Sequence, residues 1–170
     1  MQQTRDFELM VRPALPGDAE QIAAIYNHYV KTSIITFEET EVAAPEMANR
    51  ILDIQSTPLP WLAAVKGAQI VGYAYAGKWK VRTAYRFSTE ATVYVHPGLG
   101  GTGVGSELYK QLLSALQSRG VHAVMGGIAL PNDASVRLHE KFGFKKVAHF
   151  KEVGFKFNRW IDVAYWQLNL

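Results

Sequence analysis

The sequence of 170 residues contains no cysteine. This absence excludes disulfide bonds, thiolate metal sites and a cysteine nucleophile. The sequence also lacks any run of about 18 apolar residues, which argues against a membrane-spanning helix. The N-terminal residues 1–6 have no apolar stretch of the kind found in a secretory signal. Together these absences lead us to expect a soluble protein of the cytoplasm.

Charge of either sign is limited as well. Lys and Arg together number 18 and Asp and Glu number 15, which gives a formal net charge of +3. The basic residues are scattered, whereas nucleic-acid-binding proteins concentrate them in a stripe or run. With no long apolar run either, we expect neither nucleic acid nor a membrane as a partner. The histidines at positions 28, 96, 122 and 149 show no metal-ligand spacing with carboxylates, so we also expect no metal.

Glycine, in contrast, is concentrated at one place. A β-branched run over residues 90–95 leads into a loop with glycines at positions 98, 100, 101, 103 and 105, and a helical pattern follows from Ser106. Without side chains, backbone N–H groups and the positive end of a helix can approach a phosphate closely. The pattern therefore predicts a binding site for a phosphate or pyrophosphate group. The simpler alternative is a flexible turn between a strand and a helix.

Hydrophobic periodicity predicts the element order β, α, α, three β, α, β, α, two β. The predicted strands cover about residues 7–12, 61–65, 69–76, 85–95, 121–128, 144–150 and 154–168. The predicted helices begin after Asp18 as an N-cap, at Pro45, after the glycine loop, and after Asn132 or Asp133. We expect a single α/β domain over residues 1–170, with a mixed (α+β) sheet of about seven strands and helices on both faces.

The glycine loop is compatible with more than one motif. Residues 98–103 fit the pattern G-x-G-x-x-G, which in dinucleotide-binding folds follows the first strand and precedes an acidic residue by about 20 positions. Here several strands precede the loop, and residues 121–128 contain no carboxylate. A nicotinamide-dinucleotide-binding enzyme therefore stays only as an alternative. A P-loop needs Gly-Lys-Ser/Thr, whereas this chain has Gly105-Ser106-Glu107, so ATP and GTP chemistry is not supported.

The segment Gly100-Gly-Thr-Gly-Val-Gly105 resembles the pyrophosphate loop, Gln/Arg-x-x-Gly-x-Gly/Ala, of the GNAT superfamily of N-acetyltransferases. Residues 132–144, with Asn132, His139 and a Gly-Phe pair, resemble the second marker of that family. Five further runs resemble the phosphinothricin and methionine sulfoximine acetyltransferase group: 25–27, 77–80, 84–85, 89–95 and 157–162. One departure is Gly100, which stands where the family has Gln or Arg.

The resemblance implies a GNAT-like fold and the transfer of acetyl from acetyl-CoA, as co-substrate, to the amine of a small amino-acid analogue. It also implies a homodimer, for which the aromatic segment 155–166 is a candidate contact. The implied cofactor-binding residues are Val93, Tyr94, Val95, Gly100, Gly101, Thr102, Gly103, Val104, Gly105, Ser106 and Asn132. Because Gly100 lacks the usual side chain, a non-catalytic coenzyme A-binding module is an alternative function.

Two residues are candidates for the proton transfers of an acetyl transfer. Glu90 precedes the glycine loop on the same strand, so its carboxylate can accept the proton of the attacking amine, directly or through water. Its alternative is a solvated carboxylate or an ion pair with Arg86. His139 occupies the position at which many family members have a Tyr that protonates the leaving thiolate, and an imidazolium could do the same. A structural role for His139, or a base role, is also open.

The acceptor side of the site is less specified by the sequence. A guanidinium can hold the carboxylate of an amino-acid analogue bidentately, so Arg82 and Arg86 are the leading substrate anchors. We expect Arg86 to lie on the same strand face as Glu90, four residues away. Phe37 is a candidate wall of the substrate pocket or, alternatively, part of a subunit contact. Asn132 is expected to bind the cofactor's pantetheine arm, to cap the helix that follows, or to do both.

Overall fold

The computed structural model describes residues 8–170 and contains one mixed seven-stranded sheet with the strand order β1-β2-β3-β4-β5-β7-β6. The strands are β1 Leu9–Pro13, β2 Trp61–Lys66, β3 Gln69–Lys78, β4 Ser88–Val95, β5 Ala123–Ala129, β6 Lys145–Lys156 and β7 Arg159–Asn169. The helices are α1 Ala19–Thr32, α2 Ala44–Gln55, α3 Val104–Ser118 and α4 Asp133–Lys141. The predicted order of elements is confirmed, although Phe7, the first residue of the first predicted strand, lies outside the described residues. Within residues 8–170, no helix has the length and apolar character needed to cross a bilayer.

Helices cover both faces of the sheet, as predicted. Trp61, Ala63 and Tyr73 point to one face, where they pack in a buried cluster with α1 and α2. Val124 and Ile128 belong to the opposite face and pack in a second cluster with α3. Because neighbouring residues of a strand point to opposite faces, β2, β3 and β4 each contribute to both clusters. The part of the sheet formed by β2, β3 and β4 is therefore buried between two helical layers.

Helix α1 begins directly after Asp18, which is the predicted N-cap residue, but the Asp18 side chain makes no capping hydrogen bond to the helix. Residues Pro16–Asp18 form a 3-10 turn, and the Asp18 carboxylate accepts a hydrogen bond from the Leu15 N–H at 2.8 Å. It also accepts two hydrogen bonds from the Arg12 guanidinium, at 2.7 and 2.9 Å. Chiefly because of Arg12, the pKa of Asp18 is lowered. The carboxylate thus joins β1 to the turn and does not bind the N–H groups of α1.

The central strands β4 and β5 separate part of the way along the sheet. They are parallel, and their pairing extends only over Ser88 with Ala123, Thr89 with Val124, and Glu90 with Met125. Beyond this register β4 runs toward the glycine loop while β5 pairs on its other side with β7. A gap therefore opens between the two strands, and Glu90 lies where it begins.

The strand β4 begins at Ser88, not at residue 85 as the sequence predicts. A 3-10 turn, Thr83–Tyr85, precedes it, and Arg86 is the residue that ends this turn. Its N–H donates to the carbonyl of Thr83 at 3.0 Å. The prediction that Arg86 shares a strand face with Glu90 is therefore wrong, because the two residues belong to different elements.

The hairpin of β6 and β7 forms one edge of the sheet and exposes large apolar side chains. The exposed residues are Val147, Phe150, Val153, Phe155, Phe157 and Trp160. The strand β6 is irregular, with register shifts against β7 and a left-handed residue, Glu152, at φ 52°. Val147, Phe150 and Val153 of this irregular edge line a large cavity beside the sheet.

Candidate active site

Two cavities meet beside Glu90. The larger, of about 870 Å³, lies on the α1–α2 face of the sheet and has a mostly apolar and aromatic wall that includes Phe37, Trp79 and Tyr165. The smaller, of about 230 Å³, follows the gap between β4 and β5 and reaches His139 and Asn132 on the α3 side. Four residues line both cavities: Ile35, Glu90, Gly127 and Ala129. A ligand in one cavity is thus separated from a ligand in the other only by the region around Glu90.

Glu90 provides an ionisable group at this junction. Burial raises the pKa of its carboxyl, and the positive charge of Lys80, which lines the larger cavity, partly opposes this change. Within residues 8–170, the carboxylate takes part in no side-chain hydrogen bond and no salt bridge, so the predicted alternative of an ion pair with Arg86 is not formed. A Cβ on Gly127 would lie 3.1 Å from Oε1 of Glu90 and 2.9 Å from the Tyr165 ring. The absence of a side chain at Gly127 therefore leaves space for the Glu90 carboxylate.

His139 lies behind the smaller cavity and is 3 % exposed. Its Nδ1 lies 2.7 Å from the carbonyl oxygen of Ser135, so this nitrogen carries the hydrogen and donates. Its Nε2 consequently accepts, from the Tyr109 hydroxyl at 2.8 Å. Burial lowers the pKa of His139. The imidazole is therefore neutral near pH 7, which differs from the imidazolium considered from the sequence.

Tyr109 is a residue of this site that the sequence pattern did not single out. It lies on α3, is fully buried, and lines the smaller cavity next to His139. Burial and the negative charge of Glu90 raise its pKa, so the hydroxyl keeps its proton. A tyrosine on the apolar stripe of a helix is indistinguishable by spacing from a core residue. Only its contact with His139, 30 residues further along the chain, identifies it.

The close approach of His139 to the sheet depends on Gly126. A Cβ at this position of β5 would lie 2.3 Å from Nε2 of His139, a distance that no side chain permits. Gly126 and Gly127 point to opposite faces of β5, and each makes room for one polar residue of the site. The glycine pair thus admits His139 from one face and Glu90 from the other.

The glycine loop leads from β4 into α3 in a left-handed conformation. Gly98, Gly101 and Gly103 have φ values of 85°, 77° and 91°, which residues with side chains rarely adopt. A Cβ at Gly100, Gly101 or Gly103 would meet nothing within 4 Å, so the loop is open toward solvent. The first N–H bonded within α3 is that of Glu107, to the carbonyl of Gly103 at 3.0 Å. The earlier N–H groups of this helix end are therefore directed toward the open side, as an anion requires.

The other predicted cofactor residues are distributed around the same path. Val93 and Tyr94 line the gap, whereas the carbonyl of Val95 accepts a hydrogen bond from the Tyr29 hydroxyl at 2.6 Å. The Val104 side chain is buried in the core, so only its backbone faces the loop. Thr102 donates through its hydroxyl to Leu99, and Ser106 accepts from Lys141 at 2.9 Å.

Asn132 caps α4 and also lines the smaller cavity. Its side-chain oxygen accepts a hydrogen bond from the Ser135 N–H at 3.1 Å, which confirms the capping role. The side-chain hydrogen bonds of the described residues do not use the amide nitrogen of Asn132, which leaves this donor for a ligand. The fold and the gap therefore fit an elongated ligand with a phosphate-rich end at the glycine loop and its other end beside Glu90.

The predicted acceptor residues are only partly brought together. Phe37 lines the larger cavity as predicted, but Arg82 and Arg86 do not line either cavity. The Arg86 guanidinium instead lies 4.5 Å from the centre of the Phe87 ring. The basic residue that does line the larger cavity is Lys80. In the sequence it is one of four neighbouring basic residues, Lys78, Lys80, Arg82 and Arg86, whose charge could attract a small anionic ligand. Among residues 8–170, no group of His, Asp and Glu side chains is placed to hold a metal ion.

Comparison with known proteins agrees with this arrangement. A family model described as an acetyltransferase (GNAT) domain matches residues 11–165. The chain is 42% identical to the phosphinothricin N-acetyltransferase of Streptomyces coelicolor, with 94% of this chain and 95% of that protein covered. It is 33% identical to the L-methionine sulfoximine/L-methionine sulfone acetyltransferase of Salmonella typhimurium, with 95% of each chain covered.

A solved structure shows the same fold. It is that of a GNAT superfamily phosphinothricin acetyltransferase from Sinorhizobium meliloti in complex with acetyl-CoA. The two chains superpose with a TM-score of 0.92 at 33% identity, and the match covers 95% of this chain and 88% of the other.

Proposed function

Because the chain belongs to the acetyltransferase (GNAT) family, we propose that its acceptor is the amine of a small amino-acid analogue of the phosphinothricin or methionine sulfoximine type. The chain is an N-acetyltransferase that uses acetyl-CoA as co-substrate. The observation that carries the choice of acceptor is the larger cavity, which has Glu90 in its wall and is lined by the exposed Lys80 as well as by apolar and aromatic side chains. Such a pocket suits a short side chain with an amine at one end and an anionic group nearby.

The chain's own residues fit acetyl-CoA. The N–H groups at the start of α3, together with the open backbone at Gly100, Gly101 and Gly103, are suited to the pyrophosphate. The gap between β4 and β5 exposes unpaired edges of Val93 and Tyr94 to the pantetheine arm, and the Asn132 amide lies further along. When bound there, acetyl-CoA supplies an acetyl thioester, which is activated for transfer. Backbone donors thereby replace the side chain that Gly100 lacks.

Glu90 acts as the general base in this proposal. An ammonium cannot attack a thioester, so the acceptor must lose a proton first. A carboxyl whose pKa is raised by burial holds that proton more readily than a solvated one, which brings its proton affinity closer to that of the amine. Glu90 lines both cavities and is therefore within reach of an amine in the larger one.

Tyr109 is the proton donor in this proposal, and His139 is the residue that positions it. The Ser135 carbonyl fixes the imidazole tautomer, so the hydrogen between the two side chains belongs to the Tyr109 hydroxyl. When this hydroxyl turns toward the gap and gives its proton to the leaving thiolate, the tyrosinate regains a proton from solvent. Nε2 of His139 carries no proton to pass on, and it positions the hydroxyl by accepting its hydrogen bond. The neutral imidazole supports Tyr109, not an imidazolium, as the group nearest the leaving sulfur.

A thiol-release assay with phosphinothricin and methionine sulfoximine tests the proposed acceptor class. We expect turnover of both, and we expect Lys80→Met to raise KM for either acceptor by about tenfold, the loss of one charge-assisted contact. Arg86→Met, which removes a cation outside the cavity, is the matched control and should leave KM unchanged. Equal use of each acceptor and its carboxamide by the wild-type enzyme would contradict the proposal.

Three further expectations belong to the proposal: one catalytic domain over residues 1–170, a cytoplasmic location, and a homodimer. The family match over residues 11–165 supports the first. The apolar side chains exposed along β6, β7 and their turn support a dimer, since a surface of this kind is typical of a protein interface. Sedimentation at micromolar concentration should give twice the mass of one chain, and a monomer would count against this part.

A further inference from the structure

Lys156 is a buried lysine that the proposed chemistry does not use. It is the last residue of β6, and its whole side chain is 1% exposed. Its ammonium donates to the carbonyl oxygens of Ser33 at 2.9 Å and Thr36 at 2.8 Å. Burial lowers the pKa of the ammonium, and the more distant negative charge of Glu39 opposes this effect. Burying an ammonium is costly unless its hydrogen bonds are met, so this arrangement calls for an explanation.

The two carbonyls that Lys156 binds belong to the segment between α1 and α2. This segment carries three residues of the site in succession: Ile35 lines both cavities, Thr36 lines the smaller one and Phe37 the larger. Neither helix continues through it, so its backbone carbonyls have no helical partners. The ammonium of Lys156 therefore supplies hydrogen bonds that the segment cannot make by itself.

A second contact joins the same two parts of the molecule. Gly154, two residues before Lys156, faces the ring of Phe37. A Cβ on Gly154 would lie 2.3 Å from Cζ of that ring, so the ring is seated directly on the backbone of β6. The aromatic wall of the larger cavity thus depends on the absence of a side chain at this position.

The other side of the segment is held from α1 and α2. The hydroxyl of Tyr26 lies 2.7 Å from Oγ1 of Thr36, and the Arg50 guanidinium binds Glu38 at 2.7 Å. These contacts fix the segment to its own helical layer but not to the β6–β7 hairpin. Lys156 and Gly154 connect the segment to β6, while Ile34 packs against Ile161 of β7 in a small apolar cluster.

We propose that the end of β6 positions the acceptor site: Lys156 holds the backbone of residues 33–36, and Gly154 seats the ring of Phe37 against the larger cavity. This inference rests on the proposed function, because it assigns these two residues to the binding of the acceptor and not of acetyl-CoA. The glycine loop lies at the far end of the gap, so the part of the coenzyme A affinity that the pyrophosphate provides is independent of this contact, although Ile35 and Thr36 also line the smaller cavity.

Two variants test the proposal. Lys156→Met keeps the length and apolar part of the side chain but removes the donors, and Gly154→Ala displaces the Phe37 ring while leaving Lys156 in place. Each should raise KM for the amino-acid analogue by about tenfold or more, with the coenzyme A Kd measured by calorimetry unchanged within about twofold. Lys156→Met should also speed amide hydrogen exchange in residues 33–37. Lys145→Met, at an exposed position on the same strand, is the matched control and should change none of these values.

The outcomes separate positioning from a general effect on folding. Faster exchange confined to residues 33–37, with a higher acceptor KM and an unchanged coenzyme A Kd, supports the proposal. Wild-type exchange and KM in Lys156→Met, or a parallel loss of coenzyme A affinity, overturns it. If Lys156→Met does not fold, Gly154→Ala decides alone, and an unchanged acceptor KM overturns the proposal. The exchange measurement needs no acceptor, so it remains decisive even if the analogues prove not to be substrates.

Discussion

The Glu90 carboxylate is partly removed from water, yet residues 8–170 provide it with no hydrogen-bond donor. Such a group destabilises the folded chain when it is charged, because burial favours its protonated form. The same burial makes it a stronger base. At this residue a cost in folding free energy and a gain in catalytic capacity have one physical cause.

Replacing Glu90 by Gln tests the catalytic side of this statement. The amide has nearly the same shape but cannot accept the amine's proton, so kcat should fall by roughly 10² or more. The affinity for acetyl-CoA, measured by calorimetry, should hardly change. Wild-type turnover between pH 6 and 9 would remove Glu90 as the base.

The same variant tests the stability side. Burial makes the pKa of Glu90 higher in the folded than in the unfolded state. The stability that this carboxyl contributes is therefore lost as the pH rises from its unfolded-state pKa to its folded-state pKa. Glu90→Gln should therefore be more stable than the wild type at pH 8, and the difference should shrink as the pH is lowered to about 4, below the usual glutamate pKa. In a chain of this size, thermal melts report each kcal/mol as about 2–4 °C. A stability difference between Glu90→Gln and the wild type that does not change with pH would contradict a raised pKa for Glu90.

Tyr109 and His139 should behave as one unit. Tyr109→Phe and His139→Phe each remove one side of the hydrogen bond while keeping an aromatic ring, and each should lower kcat by roughly tenfold or more. Once either partner is gone, removing the second should cost little more, so the double variant should resemble the slower single one. If the fold decrease in kcat of the double variant equals the product of the two single decreases, the residues act independently. An unaltered pH profile of kcat in His139→Phe would mean that His139 has only a packing role.

At the level of elements, the local patterns were sufficient for most of the fold. The apolar stripe Val104, Leu108, Leu112 and Leu116 gave α3, and its positions are buried as the 3.6-residue period requires. The turn formed by Gly98, Gly101 and Gly103 could be predicted from the sequence, because glycine adopts positive φ angles at low cost. What local patterns could not provide was the bonding partner of a polar side chain.

Asp18 and Arg86 illustrate this limit. Asp18 precedes a helix, as an N-cap does, but the guanidinium of Arg12 competes successfully for its carboxylate. Arg86 stands in a run that favours a strand, but a 3-10 turn delays the strand until Ser88. Tyr109 and Lys156 were overlooked for a related reason, since each depends on contacts with residues distant in the chain.

The loop before α3 can be tested apart from the helix itself. Gly103→Val places a branched side chain at φ 91°, on the side that faces the proposed pyrophosphate, so coenzyme A affinity should fall by at least about tenfold, or 1.4 kcal/mol. Gly120→Val introduces similar backbone strain, at φ 75°, just beyond the other end of α3. It should lower stability comparably but leave the affinity unchanged. If calorimetry shows wild-type affinity in a folded Gly103→Val variant, the loop does not bind the pyrophosphate.

At the scale of the whole molecule, the two helical layers leave the site open from two directions. The larger cavity lies on the face covered by α1 and α2, and the gap between β4 and β5 extends through the sheet to α3 and α4. The exposed β6–β7 edge borders the larger cavity, so a second copy docked there would also enclose the acceptor. If the proposed homodimer forms through this edge, dilution below its dissociation constant should raise the acceptor KM before it affects coenzyme A binding.

The meeting of the two cavities at Glu90 also determines the expected order of events during turnover. With separate entrances, donor and acceptor need not take turns in one pocket, and both can be present when the acetyl group moves. Double-reciprocal plots for one substrate at several fixed levels of the other should therefore intersect. Parallel lines would mean that the acetyl group rests on the protein between two half-reactions, and a chain without cysteine lacks the usual thiol to carry it.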